Sequence, residues 1–371
     1  MKKITDLKKT GFVLLLLALV LTISACGIKK MPAENSGTTE PATAAQAEGE
    51  GNSAEGKELA GKRIALIMEF NTGTFSQQYV QGVTEEVKKF GGELTTFVAE
   101  NNRAKMADLL ESAINQKFDV ILTDHGSAEF LEPGIKKAVE QKIAVVVFDA
   151  LVNVPGATVL SQDDQSLAAL TLDKLKQDSG GKGNIVKVWV AGFAPMERRE
   201  QEYKKFLAEN PQIKEIAAFG NASNPALDSQ TQMEAVLKQY PKGEITAVWA
   251  AWDEFAKGAA RAIQLAGRDE IKVYGMDLSD EDLQMIQDPK SPWVASAAVD
   301  PKDIGRIQVR YAYQKLHGDS TDDRVVLKAV LVTREALPEQ QISTDELSQY
   351  VEGWGGSKQG IQDWMKEYGV E

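Results

Sequence analysis

The chain has 371 residues, of which 42 are Lys or Arg and 54 are Asp or Glu, giving a formal charge of −12. That acidic balance argues against nucleic acid, which demands a basic footprint. Only two histidines are present, His125 and His317, and neither belongs to a metal-spacing motif, so a zinc site or a Ser/His/Asp triad has little to build on.

The first ten residues, MKKITDLKKT, carry four lysines and lead into the apolar run Phe12 to Val20 and then Leu21 to Cys26. A basic segment, a short apolar core and small residues form a secretory signal, here residues 1–25. The apolar core is well short of the ~20 residues a membrane-spanning helix needs. Ile23-Ser24-Ala25-Cys26 is similar to a lipobox, which implies cleavage before Cys26 and lipid on its sulfur, and so an anchor in the bilayer. Cys26 is the only cysteine, so no intrachain disulfide is expected. From Lys29 to Gly56 the chain is rich in Gly, Ser, Thr, Ala, Pro and Glu and nearly free of large apolar residues. Such a segment cannot bury enough surface to fold, so residues 26–60 read as a flexible tether. Anchor, tether and folded body follow in that order, which places the body outside the cytoplasm.

The body alternates strands and helices. Arg63 to Phe70, Glu93 to Ala99, Phe118 to Thr123 and Ile143 to Phe148 read as strands, separated by helices over Phe75 to Phe90, Ala104 to Gln116 and Phe130 to Gln141. The rhythm restarts after Gln162-Asp163-Asp164. Helices are predicted over Leu167 to Leu175, Met196 to Leu207, Gln230 to Gln239, Ser279 to Ile286 and Asp303 to Leu316. Between them lie strands at Asn184 to Val190, Ile213 to Phe219, Ile271 to Met276 and Trp293 to Val299. This alternation implies βαβ units and parallel sheets, and its repetition implies two similar α/β lobes.

The most informative stretch is Ala247 to Gly267, AVWAAWDEFAKGAARAIQLAG. It is a strand, a turn at Trp252-Asp253 and a helix whose Phe255, Ala259, Ala262, Ile263 and Ala266 share one face. Asp253 stands at the N-cap position and Gly267 at the glycine stop. Ligands of open parallel sheets bind beyond the carboxyl ends of the strands, so Trp252 is placed at a cleft. Trp189, Trp249 and Trp293 lie within strand runs and are expected in the core.

From Gly61 to about Leu331 the chain resembles the ribose-type periplasmic sugar-binding proteins, the solute receptors of ABC importers. The matching stretches, in order, are GKRIALIMEFNTGTF, AVVVFDA, MERREQEYKKF, AVWAAWDEFAKGAARAIQLAG, IKVYGMDLS and AAVDPKDIG. The resemblance implies two doubly wound parallel-sheet lobes joined by three hinge crossovers, near Gln162, Asp300 and Leu327, which close on a sugar. Lobe 1 is then 61–162 with 300–327, lobe 2 is 163–299 with 328–343, and 344–371 is a tail of short helices interrupted by Gly353, Gly355 and Gly356. The ligand implied is a monosaccharide or sugar alcohol, the partner a membrane permease, the receptor a monomer, and no cofactor is expected.

Residue by residue, the resemblance places Phe75 as a stacking ring with Asn71 nearby. Asp149, Arg199 and Asp277 are placed as hydrogen-bonding groups at the cleft. Trp252 stands where the family has an amide, and Asn224 stands about where it has an aromatic. Asp253 and His125 are further candidates, by position at a turn and at a strand end. Ala150 replaces the arginine of the family's Asp-Arg pair and Val299 a glutamine, so the site has lost hydrogen-bonding capacity and gained an aromatic wall. Ribose itself is therefore in doubt. Two rival functions use the same body: a sensor subunit that presents bound sugar to a signalling receptor, and an exported glycoside hydrolase using Asp149 and Asp277 as paired carboxylates. The hydrolase lacks any marked acid and any nucleophile motif such as G-x-S-x-G.

Overall fold

The structure, a computed structural model, describes residues 58–371. The signal segment, Cys26 and the tether up to residue 57 lie outside the described residues. Near-continuous runs of Val, Ile, Leu and Ala form strands buried on both faces, because helices cover each sheet on both sides. In chain order the first elements are β1 (Arg63–Met68), α1 (Gly73–Lys89), β2 (Glu93–Val98) and α2 (Arg103–Asn115). Then come β3 (Val120–Asp124), α3 (Ala128–Glu140), β4 (Ala144–Phe148) and β5 (Thr158–Gln162).

The second run is α4 (Asp164–Asp178), β6 (Gly183–Val188), α5 (Ala194–Glu209), β7 (Ile213–Phe219) and α6 (Pro225–Gln239). It continues with β8 (Ala247–Ala250), α7 (Asp253–Leu265), β9 (Lys272–Met276), α8 (Asp280–Gln287) and β10 (Trp293–Ala298). The chain then forms α9 (Pro301–His317), β11 (Arg324–Leu327) and β12 (Val330–Thr333).

These strands make two six-stranded sheets, ordered β11-β5-β4-β3-β1-β2 and β12-β10-β9-β8-β6-β7. Every pairing is parallel except β10 with β12. Two doubly wound lobes result. The chain passes between them after β5, after β10, and at Lys328-Ala329 between β11 and β12. Helix α9 returns to the first lobe and crosses α1 where Gly82 allows near-contact with the Lys302 carbonyl. A side chain at Gly82 would overlap that backbone, so the glycine sets how α1 sits over the cleft. Trp249 and Trp293 are fully buried in the second core and Trp189 is partly buried, bonding through Nε1 to the Met196 carbonyl at 2.8 Å.

Three local expectations change. Helix α7 is capped by Trp252, whose backbone is extended, and Asp253 is the first helical residue rather than the cap. The Asp253 carboxylate accepts instead from the adjacent Glu254 N–H at 2.8 Å. The tether ends earlier than residue 60, because Leu59 is already buried and its N–H bonds the Tyr368 hydroxyl at 3.3 Å. The tail forms short 3-10 turns, Leu347–Gln349 and Asp363–Tyr368, since Gly353, Gly355 and Gly356 all take positive φ.

The tail is not a separate appendage. Leu347, Val351 and Trp354 pack into the core of the second lobe, whereas Met365, Tyr368 and Val370 pack into that of the first. Between them, Arg310 Nη1 holds the Ser357 carbonyl at 2.6 Å. Trp354 is nearly buried and donates Nε1 to the Thr344 carbonyl at 2.8 Å. Truncating a buried tryptophan removes its packing and leaves a cavity, at a cost of about 3–5 kcal/mol. Trp354→Ala is therefore expected to lower the denaturant midpoint by that amount of stability. An unchanged midpoint would show that the tail packs loosely.

Candidate ligand site

The strands of both lobes end on a cavity of about 720 Å³, its open mouth included. His125, Asp149 and Asp277 directly follow β3, β4 and β9, and all three take a left-handed backbone, with φ of 61, 51 and 68°. Non-glycine residues hold that conformation at a cost of about 1–3 kcal/mol each, so the surroundings must enforce it. Each is pinned by its N–H to the next strand: His125 to the Phe148 carbonyl at 2.9 Å, Asp149 to Leu160 at 3.0 Å, and Asp277 to Ala297 at 2.9 Å.

The polar wall is built inside the second lobe. Arg199, 1% exposed on α5, donates Nε to Asp164 at 2.7 Å. Its Nη1 reaches the Ala251 carbonyl at 2.6 Å and Asp277 at 2.9 Å, and its Nη2 meets the other Asp277 oxygen at 3.0 Å. Four elements thus converge on one guanidinium: α4, α5 and the ends of β8 and β9. The bidentate geometry to Asp277 fixes both side chains. Gln162, at the end of β5, donates to Asp277 at 3.2 Å and keeps a buried Oε1 with no partner among the described residues.

Closure brings the first lobe against this wall. Arg198 Nη2 meets Asp149 at 2.7 Å across the cleft, while its Nε holds Asp164 at 2.7 Å. Arg103, paired with Glu69 at 2.8 Å, reaches over to the Gly192 carbonyl at 2.7 Å. Gln78 on α1 bonds Asp280 of α8 at 3.1 Å. Gly73, with φ 76°, lies so close to Glu254 that any side chain there would overlap its carboxylate.

Phe75, His125, Arg199, Trp252 and Asp277 line the cavity together. The remaining candidates do not. Asn71 is exposed, and the neighbouring Phe70 and Thr72 face the cavity instead. Asn224 is exposed at the start of α6, with Ala222 on the lining. Asp149 is buried but off the cavity surface, taken up by Arg198. Asp253 is fully buried at the start of α7, where burial and then the charges of Asp282, Glu254 and Asp277 raise its pKa well above the usual carboxylate value against the pull of Lys257. Sequence reasoning missed Phe70, Phe193 and Gln162 on the lining and Arg198 and Asp164 behind it. The Met196–Phe206 stretch contained both arginines, but adjacency in sequence gives no sign of which one enters the wall.

Residues 64–320 match the family model described as Periplasmic binding protein domain. A sugar ABC transporter structure from Yersinia enterocolitica is 36% identical, covering 88% of this chain and 99% of that one, with a TM-score of 0.80. The chain belongs to the type I periplasmic sugar-binding proteins. The solute-binding protein of a 5-methylthioribose transporter from Thermotoga lettingae, solved with that ligand, is 36% identical, covering 82% of this chain and 98% of that one, with a TM-score of 0.79. The ribose import binding protein of Bacillus subtilis is 27% identical over 338 residues, 89% of this chain and all of that protein. Members of this family work outside the cytoplasm as binding components of transporters.

In this periplasmic binding protein the charge at the cleft is unevenly balanced. Burial alone would push the His125 pKa down. The charge and hydrogen bond of Asp124, 2.7 Å from Nδ1, together with Asp149 and Glu69, raise it to about 9. Burial and the nearby Asp164 raise Asp149 to about 7 against the pull of Arg198, His125 and Arg199. A raised histidine pKa contributes stability that is complete below its unfolded value of 6.5 and is lost as pH rises through 9. The raised Asp149 has the same sign, favouring the fold at lower pH. The melting temperature of the ligand-free protein is therefore expected to fall between pH 6.5 and 9. His125→Gln should flatten the upper part of that fall, and an unaltered slope in the variant would remove the imidazolium from the account.

Proposed function

We propose that this protein is a monomeric, lipid-anchored receptor that captures a monosaccharide or sugar alcohol between its lobes and hands it to the permease of an ABC importer. The observation that carries the reading is the Arg199–Asp277 pair set into the wall of an aromatic cavity where the strands of both lobes end. A sugar offers hydroxyls that donate and accept along its edges and C–H faces that are apolar. The charged pair and Gln162 suit the edges, while Trp252, Phe75 and Phe70 suit the faces. Relatives are named for or were solved with ribose, 5-methylthioribose and allitol, which supports a sugar or polyol of five or six carbons.

The lipobox-like Ile23-Ser24-Ala25-Cys26 and the polar tether behind it support anchoring at the outer face of the membrane. The reading as a hydrolase is disfavoured because Asp149 does not reach the cavity and both proposed carboxylates are held by arginines. No observation favours the signalling partner over the permease.

A calorimetric titration of the protein against pentoses, hexoses, polyols, nucleosides and amino acids tests the reading. Binding is expected for a sugar or polyol, with 1:1 stoichiometry, and Asp277→Asn should weaken it by about 2–5 kcal/mol, as for truncated buried charge pairs. Binding confined to amino acids or nucleosides would refute the substrate class. Cys26→Ser should release the protein from cells into the medium, and retention in the membrane fraction would refute the anchor.

A further inference from the structure

The cavity wall is chemically two-sided. Arg199, Asp277 and Gln162 make one side, and they bond chiefly to each other. Both Asp277 oxygens are taken, the Arg199 guanidinium already makes four hydrogen bonds, and the unpartnered buried acceptor is Gln162 Oε1. The other side is mostly apolar, with His125 as the polar group beside it, its ring centroid 4.7 Å from that of Phe70. Val190, Phe193, Pro195 and Met196 all come from the short segment joining β6 to α5 and its first turn. Against them, across the cleft, stands Phe70, whose ring centroid lies 6.1 Å from Phe193 and 5.9 Å from Trp252. Phe70, Phe193 and Trp252 are all only half-buried, so they retain apolar surface that faces the cavity.

A free pentose carries a hydroxyl on nearly every carbon. Enclosed here, one of its ends would meet mainly rings and a thioether, with the His125 imidazole the polar group beside Phe70, so most of the hydroxyls at that end would lose water without gaining a partner. A ligand that is polar at one end and apolar at the other leaves nothing unpaired. We infer that the site is built for a sugar whose terminal carbon carries a small apolar substituent, such as an alkylthio group, seated among Phe70, Phe193, Met196 and Trp252. This rests on the receptor reading and narrows its ligand. Phe193 is the specificity-determining side chain, because Arg103 of the opposite lobe sits over its ring at 5.4 Å and grips the Gly192 carbonyl, so closure itself completes the apolar corner.

The test titrates the full-length protein with a matched pair, ribose and 5-methylthioribose, together with ribitol and allitol as unsubstituted polyols. Adding one or two apolar atoms in a fitted hydrophobic pocket is worth ~10–200-fold in affinity. The substituted sugar is expected to bind at least about tenfold more tightly than ribose. Phe193→Asn should bring the ratio towards unity, as should Trp252→Leu, with melting curves confirming that both variants fold. Ribose or a polyol binding as tightly as the substituted sugar, or a ratio unmoved in both variants, overturns the inference while leaving the sugar receptor intact. Failure of all four compounds, alongside binding of a non-sugar, overturns the receptor reading and the inference with it.

Discussion

One guanidinium organises the ligand-binding end of this molecule. Arg199 is buried to 1% exposure and is held by Asp164, Asp277 and the Ala251 carbonyl, which belong to three different elements of the second lobe. Removing one partner of such a buried network strands the others, at about 3–5 kcal/mol, so these residues stand or fall together. Because Arg199, Asp164, Asp277 and Ala251 all lie in one lobe, this network does not depend on closure, and Gln162 joins the wall from the end of β5 in the first lobe. The ligand meets a prepared surface rather than assembling it, which limits the ordering cost of binding.

Closure then adds contacts of a different kind. Arg198 reaches from the second lobe to Asp149, and Arg103 reaches from the first lobe to Gly192, so each lobe supplies a guanidinium to the other. The left-handed backbone at Asp149 and His125 aims those side chains towards the cleft, and the strain is sustained by the strand hydrogen bonds on either side. The tail supplies a further tie, with its aromatic and aliphatic residues divided between the two cores. Motion of the lobes must therefore carry the segment between Trp354 and Met365 with it, in addition to the three interlobe passages of the chain.

The strands were legible because covered sheets demand uninterrupted apolar runs, and RIALIM and AVVVF have no other reading. Helix starts were less so. Helix α4 begins at Asp164, ahead of the predicted Leu167, because Asp163 caps it by accepting from Ser166 N–H at 3.1 Å and the first turn carries no apolar residue to mark it. Helix α6 begins at Pro225 rather than Gln230, since proline suits the first helical turn and Leu227 in that turn faces solvent rather than the core. Of the residues that follow strands, His125 and Asp277 line the cavity where position put them, whereas Asp149 is taken up by Arg198. Residues in loops were not readable by position: Asn71 and Phe70 are neighbours, and only the path of the loop decides which one faces the cavity. Arg198 escaped notice because its partner Asp149 is distant in sequence and is reached only across the closed cleft.

The most direct measurement follows the Arg199 Nε–H by NMR, assigned through its loss in Arg199→Lys. A prebuilt wall predicts a single downfield resonance, protected from exchange with water in the ligand-free protein and shifted little when ligand is added, because its bond to Asp164 at 2.7 Å is internal to one lobe. A resonance that exchanges rapidly without ligand and becomes protected only on binding would contradict that account. It would mean that the ligand, not the fold, draws the charged wall together.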